Sequence, residues 1–127
     1  MPLVRIALRK GHSPGYCGRV GEAVHRAMVE TIDVPLKDRF QVITEHDETT
    51  LVYDPTYLEI ARTDDVIFIQ ITLSEGRSVE RKKALYRAIA RNLTAELGVR
   101  TEDVFVNLVE VKQENWSFGN GLASYAL

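Results

Sequence analysis

Displaced by 65 positions without a gap, the chain matches itself. Ile6 falls on Ile71, Leu8 on Leu73, Gly11 on Gly76, Ser13 on Ser78, Ala23 on Ala88, Arg26 on Arg91, Val34 on Val99, Asp38 on Asp103, Phe40 on Phe105 and Glu45 on Glu110. Helix-core positions agree in character, Val20 with Leu85, Met28 with Leu93 and Ile32 with Leu97. Copies of one supersecondary unit bury their apolar faces against each other. The unit reads as strand, helix, strand, with a crossover long enough for parallel pairing and a right-handed connection. The expected fold is therefore α/β: a tandem β-α-β repeat, halves at about 2–45 and 67–110, within a single domain spanning 1–127. Its four strands form one mixed sheet with both helices on one face.

The local signals agree with that order. Leu3 to Leu8 is a β-branched and aliphatic strand. Ser13-Pro14 predicts a helix opening, a capping hydroxyl followed by proline at the first helical position. Val20, Ala23, Val24, Ala27, Met28 and Ile32 follow at three- and four-residue spacing, and Asp33-Val34-Pro35 ends the run. Phe40 to Thr44 is a second strand. A long polar connection from His46 to Asp65 holds Tyr53, Pro55, Tyr57 and Leu58, and its length suits a lid or a subunit-contact arm. Val66 to Leu73 is a third strand, Ser78 to Gly98 frames a second helix, and Val104 to Val109 is a fourth strand.

Val66 to Ile71 is apolar on both alternating sides, as in a strand covered on both faces. Two helices cover only one face, so the other is expected to pack on further copies in an obligate oligomer. The sixteen basic residues are scattered and balanced by eighteen acidic ones, net charge −2, which argues against a nucleic-acid groove. No membrane-length apolar run or signal-peptide core is present, and a cytoplasmic protein is expected. Cys17 is the single cysteine and reads as inert. With three scattered histidines it makes a poor metal set. His12 reads as a turn residue, while His25 and His46 read as structural or exposed.

Position 2 carries the unusual chemistry. If Met1 is removed, Pro2 presents a free secondary amine at the head of a strand; while Met1 remains, the same nitrogen is a tertiary amide with no proton and no basicity. Its counterpart in the repeat, Ile67, lies inside the chain after Asp64-Asp65, so only the first copy offers a chain start. A bland alternative is that a small second residue merely favours methionine removal.

The start Pro2-Leu3, the turn Glu75-Gly76-Arg77-Ser78 and the tail Trp116-Ser117-Phe118-Gly119-Asn120-Gly121 resemble the tautomerase superfamily. Asp38 to Thr44, Ile69-Gln70-Ile71-Thr72 and Trp116 to Gly119 are most similar to its malonate semialdehyde decarboxylase branch. The resemblance covers nearly the whole chain. It implies a trimer, packed through the bare sheet face, of a cofactor-free enzyme acting on a small carboxylate. On that pattern Pro2 is the catalytic amine, Asp38 its acidic partner and Arg77 the residue that holds the substrate carboxylate and polarises its carbonyl. Trp116, Phe118 and Tyr125 correspond to aromatic wall positions, with tyrosine where the decarboxylase has phenylalanine. The decarboxylase has a second arginine just before the one matched by Arg77; this chain has Ser74-Glu75 there, which weighs against decarboxylation.

The expected function is keto-enol proton transfer on a small 2-oxo or 3-oxo carboxylate. Decarboxylation or hydration in the manner of malonate semialdehyde decarboxylase is the enzymatic alternative, and a non-catalytic oligomeric binding module is the other class. Arg77 precedes the helix cap Ser78, where free amides already favour an anion. Its alternative is a solvated turn arginine. Asp38 has a repeat partner in Asp103, so both could simply make turn hydrogen bonds. Trp116 could instead anchor an interface.

Overall fold

Four strands and two helices follow from the apolar periodicities. The computed structural model describes residues 2–126. Strand β1 spans Leu3–Arg9, helix α1 Tyr16–Ile32, strand β2 Gln41–His46, strand β3 Ile67–Ser74, helix α2 Val79–Leu97 and strand β4 Val104–Val111. The sheet order is β2-β1-β3-β4. β1 pairs with β2 in parallel and β3 with β4 in parallel, and the two pairs join through antiparallel β1 and β3. The expected mixed four-stranded sheet is present.

Both helices lie on one face. Val4, Ile6 and Leu8 of β1 and Ile67, Ile69, Ile71 and Leu73 of β3 share one core with Val20, Val24 and Met28 of α1 and Leu85, Ile89 and Leu93 of α2. The helices run antiparallel: Arg81 Nη2 donates to the Thr31 carbonyl at 3.1 Å at one end, and Arg19 Nη2 to the Glu96 carbonyl at 2.8 Å at the other. Among the described residues nothing covers the other sheet face. Arg5, Val42, Gln70, Phe105 and Asn107 are exposed there and Phe68 is half-buried.

Helix α2 begins and ends as predicted. The Ser78 side chain accepts from Arg81 N–H, and Gly98 closes the helix at φ 68°, a conformation that costs glycine nothing. Helix α1 departs from expectation at its start. Ser13-Pro14 does not open it; the Ser13 carbonyl accepts Tyr16 N–H at 3.1 Å in a turn, and Gly15, at φ 86°, is the residue before the first helical one. Ser13 thus serves through its carbonyl.

Asp103 occupies the same place before β4 that Asp38 occupies before β2. It is fully buried. Its carboxylate accepts from Thr63 N–H at 2.7 Å and from Thr63 Oγ1 at 2.6 Å, so it ties the long connection to the second half. Asp103→Ala leaves that backbone donor buried without its acceptor and is expected to cost about 2 kcal/mol. Urea unfolding measures this, and an unchanged midpoint would show that the tie contributes nothing.

Candidate active site at one end of the sheet

The pairing pattern brings distant segments to one end of the sheet. β1 and the parallel β2 start there, while β3 and β4, running the opposite way, finish there. Pro2 is buried at the head of β1. Val4 N–H donates to the Phe40 carbonyl at 3.0 Å, so the start of β1 runs beside the turn that holds Asp38. On the other side Leu3 pairs with Thr72, which sets Pro2 level with the end of β3, where the chain turns through Glu75-Gly76-Arg77. Proline suits this position because the strand head requires no N–H from it.

Asp38 is only 8% exposed. Its backbone N–H donates to the Pro35 carbonyl at 2.9 Å, which fixes the turn leading into β2. Arg77 is half-buried. Its Nη1 donates to the Ser74 carbonyl at 3.0 Å and its Nη2 to the Ile32 carbonyl at 3.5 Å. These acceptors are neutral, and among the described residues Arg77 forms no ion pair. Its charge is held in place without being cancelled.

Arg77, Glu75, Gln113 and Tyr125 line a cavity of about 520 Å³, and Arg81 lines it beside them. Glu75 is exposed and makes no ion pair with Arg77. The Arg77 guanidinium therefore has no contact-distance anion from that residue. Arg81 reaches the end of α1, donating to the Asp33 carboxylate at 2.6 Å.

The tail after β4 folds back over this end. Trp116 Nε1 donates to Ser74 Oγ at 3.0 Å. The Trp116 and Phe118 rings stack with centroids 5.2 Å apart, Phe118 lies 6.5 Å from Phe40, and Tyr125 meets Phe118 edge-on at 5.4 Å. Burial pushes the Tyr125 phenol above its ordinary range, the nearby Asp38 charge adds to this, and Arg77 opposes it. One phenol thus feels both charged groups, and it stays protonated as a hydrogen-bond donor at neutral pH.

All six residues singled out from the sequence come to this end: Pro2, Asp38, Arg77, Trp116, Phe118 and Tyr125. Phe40, Ser74, Arg81 and Gln113 join them without having been anticipated as site residues. Phe40, read from the sequence as the first residue of the second strand, lies just before β2 and is exposed there. The other residues lie elsewhere. His25 is buried with Nε2 2.7 Å from the Leu36 carbonyl, and His12 stacks on Tyr16 near Asp65. Burial, then the Glu45 charge, raises the Cys17 thiol, which keeps it protonated and unreactive. Among the described residues no cluster of metal-ligating side chains occurs.

Two family models, each described as tautomerase enzyme, match residues 2–60 and 38–119. The chain belongs to the tautomerase family. A probable tautomerase, YusQ of Bacillus subtilis (strain 168), is 48% identical over 123 residues, which is 97% of each chain. Among solved structures, a malonate semialdehyde decarboxylase with decarboxylase and hydratase activities is 32% identical at a TM-score of 0.90, over 97% of this chain and 95% of that one. A fused 4-OT in a symmetric trimer is 26% identical at a TM-score of 0.79, over 98% of each. The tautomerase family is one of enzymes, which sets aside the non-catalytic module. No helix among the described residues is long and apolar enough to cross a membrane.

The Tyr125 phenol tests the proximity of the two charges. It is expected to lose its proton above the pH at which free tyrosine does. Asp38→Asn should lower that pH, and Arg77→Ala should raise it. Carbon-13 NMR of the tyrosine ring carbons follows the titration; a Tyr125 midpoint indifferent to both changes would separate it from the site.

Proposed function

We propose that, once Met1 is removed, Pro2 carries the proton in keto-enol interconversion of a small 2-oxo or 3-oxo carboxylate. The observation that supports this reading is that Pro2, Asp38, Arg77 and Tyr125, from four separate segments, come to one end of the sheet, where Arg77 and Tyr125 line a common cavity. In its neutral form the Pro2 nitrogen takes the proton from the carbon beside the carbonyl. The electron pair of that C–H bond moves into the carbonyl, whose oxygen gains charge beside the Arg77 guanidinium. Transfer of that proton from the Pro2 ammonium to the enolate oxygen gives the enol, and the reverse path regenerates the ketone. Arg77 also pairs with the substrate carboxylate, a geometry suited to its forked donors. Trp116 and Phe118 keep water from the reacting carbon.

Two influences act on the amine in opposite directions. Burial and the Arg77 charge favour neutral proline, the base; the Asp38 carboxylate favours the ammonium, the acid. The balance selects the reaction. In a second reading the ammonium dominates and a 3-oxo acid loses carbon dioxide: the bond to the carboxylate breaks, its electrons enter the polarised 3-oxo group, and the enol is then protonated at carbon. The likeness to a malonate semialdehyde decarboxylase at a TM-score of 0.90 favours this alternative. That protein was also solved as a variant with alanine for its first-residue proline. The enzyme works without a cofactor, in the cytoplasm, as a single tautomerase-like domain whose halves, about 2–45 and 67–110, arose as copies. Three copies pack through the bare sheet face, as supported by the trimeric fused 4-OT of similar fold.

Ketonisation of an aryl enolpyruvate, followed by ultraviolet absorbance, tests the first reading. Pro2→Ala should lower kcat by about 10² to 10⁴-fold, the usual contribution of a positioned acid-base group, with the circular dichroism spectrum unchanged. Asp38→Asn weakens proton binding at Pro2, so the acid limb of the kcat/KM profile should move to lower pH. Turnover unaffected by Pro2→Ala would exclude proline as the catalyst. Carbon dioxide release from malonate semialdehyde at a comparable rate would favour the second reading.

A further inference from the structure

The connection between β2 and β3 is a built structure. Leu51 is buried beneath it. The Arg9 guanidinium lies over the Tyr53 ring, 5.4 Å from its centroid. Asp64 Oδ1 accepts from Arg9 Nη1 at 3.0 Å and from the Tyr53 hydroxyl at 2.6 Å. Further along, Arg62 Nη1 donates to three carbonyls of the loop, those of Asp54 at 3.3 Å, Tyr57 at 2.9 Å and Ile60 at 3.3 Å. Leu58 and Glu59 both have left-handed backbone, φ 59° and 60°, a conformation that such residues rarely adopt. All of this holds Val52, Tyr57 and Leu58 out into solvent, where they are 71%, 66% and 71% exposed.

We propose that this apolar knob seats in the sheet-face groove of a second copy of the same chain. That groove, of about 430 Å³, is lined by Val42, Ala7, Phe68 and Phe105 around Arg5. Charge complements shape. Arg5 is exposed within the groove and forms no ion pair among the described residues, and the same is true of Glu59, next to Leu58 on the knob. An acid at the rim of the knob thus meets a base in the groove. Knob and groove are different surfaces of one molecule, so the contact runs head to tail and closes into a ring when the rotation permits. Three copies fill three grooves and leave no knob uncovered. The proposal rests on the three-copy assembly given above and adds the contact that locks it.

Sedimentation velocity over a dilution series, with circular dichroism to report the fold, tests the docking. The proteins compared are wild type, the double variant Tyr57→Ser/Leu58→Asn, Arg5→Glu, Glu59→Arg, and Arg5→Glu with Glu59→Arg. Asparagine tolerates the left-handed backbone at position 58, so the knob variant keeps the loop while losing its apolar tip. Wild type should sediment as a trimer; the knob variant and each single charge reversal should raise the concentration for dissociation at least tenfold, and the paired reversal should restore tight assembly. A wild-type trimer matched in tightness by the knob variant, or a paired reversal no tighter than the singles, overturns the docking and leaves the trimer standing. A monomeric wild type overturns both.

Discussion

The antiparallel pairing of β1 with β3 is the contact on which the rest depends. Each β-α-β half pairs its own strands in parallel and covers one sheet face with its own helix. The β1–β3 ladder joins the halves in opposite directions and makes both of these strands central. It also fixes what lies beside the start of the chain. Because β3 runs out where β1 begins, the turn bearing Arg77 comes next to Pro2, while the turn bearing Asp38 arrives on the other side through β2. A parallel junction would have sent the Arg77 turn to the far end of the sheet.

Electrostatic placement then distinguishes the two equivalent aspartates. Asp103 is occupied by Thr63 and fastens a loop. Asp38 shares its end of the sheet with Arg77 and with a phenol whose proton both charges influence. Arg77 itself is oriented by the carbonyls of Ser74 and Ile32, which hold a guanidinium without neutralising it. An enzyme of this family that handles an anionic substrate gains from an arginine fixed in this way, since little reorganisation is needed when the anion arrives.

Much of this architecture was legible in the sequence because duplication repeats the signal. Apolar spacing marked both helices, and Ser78 and Gly98 bounded α2 as their chemistry requires. The start of α1 was misjudged because Ser13-Pro14 fits a helix opening locally, whereas the glycine that follows takes up a left-handed conformation that no neighbouring residue type reveals. Family likeness singled out Asp38, Trp116, Phe118 and Tyr125, whereas Pro2 also stood out as a chain-start amine that its repeat counterpart Ile67 lacks, and the turn before Ser78 gave a physical reason for Arg77. Arg81, Ser74 and Gln113 were missed because their place at the cavity depends on contacts between segments far apart in the chain. The connection from 47 to 65 was equally opaque: its form rests on Arg9, Asp64, Arg62 and Asp103 reaching across long sequence separations.

Nitrogen-15 NMR of the untagged protein, labelled at its four prolines and titrated over pH, tests the proton-carrying role of Pro2 most directly. The expected result is one resonance in the secondary-amine region, absent from Pro2→Ala, that titrates reversibly with the same midpoint as the acid limb of turnover. Four tertiary-amide resonances that ignore pH would mean that Met1 is retained and that Pro2 carries no proton.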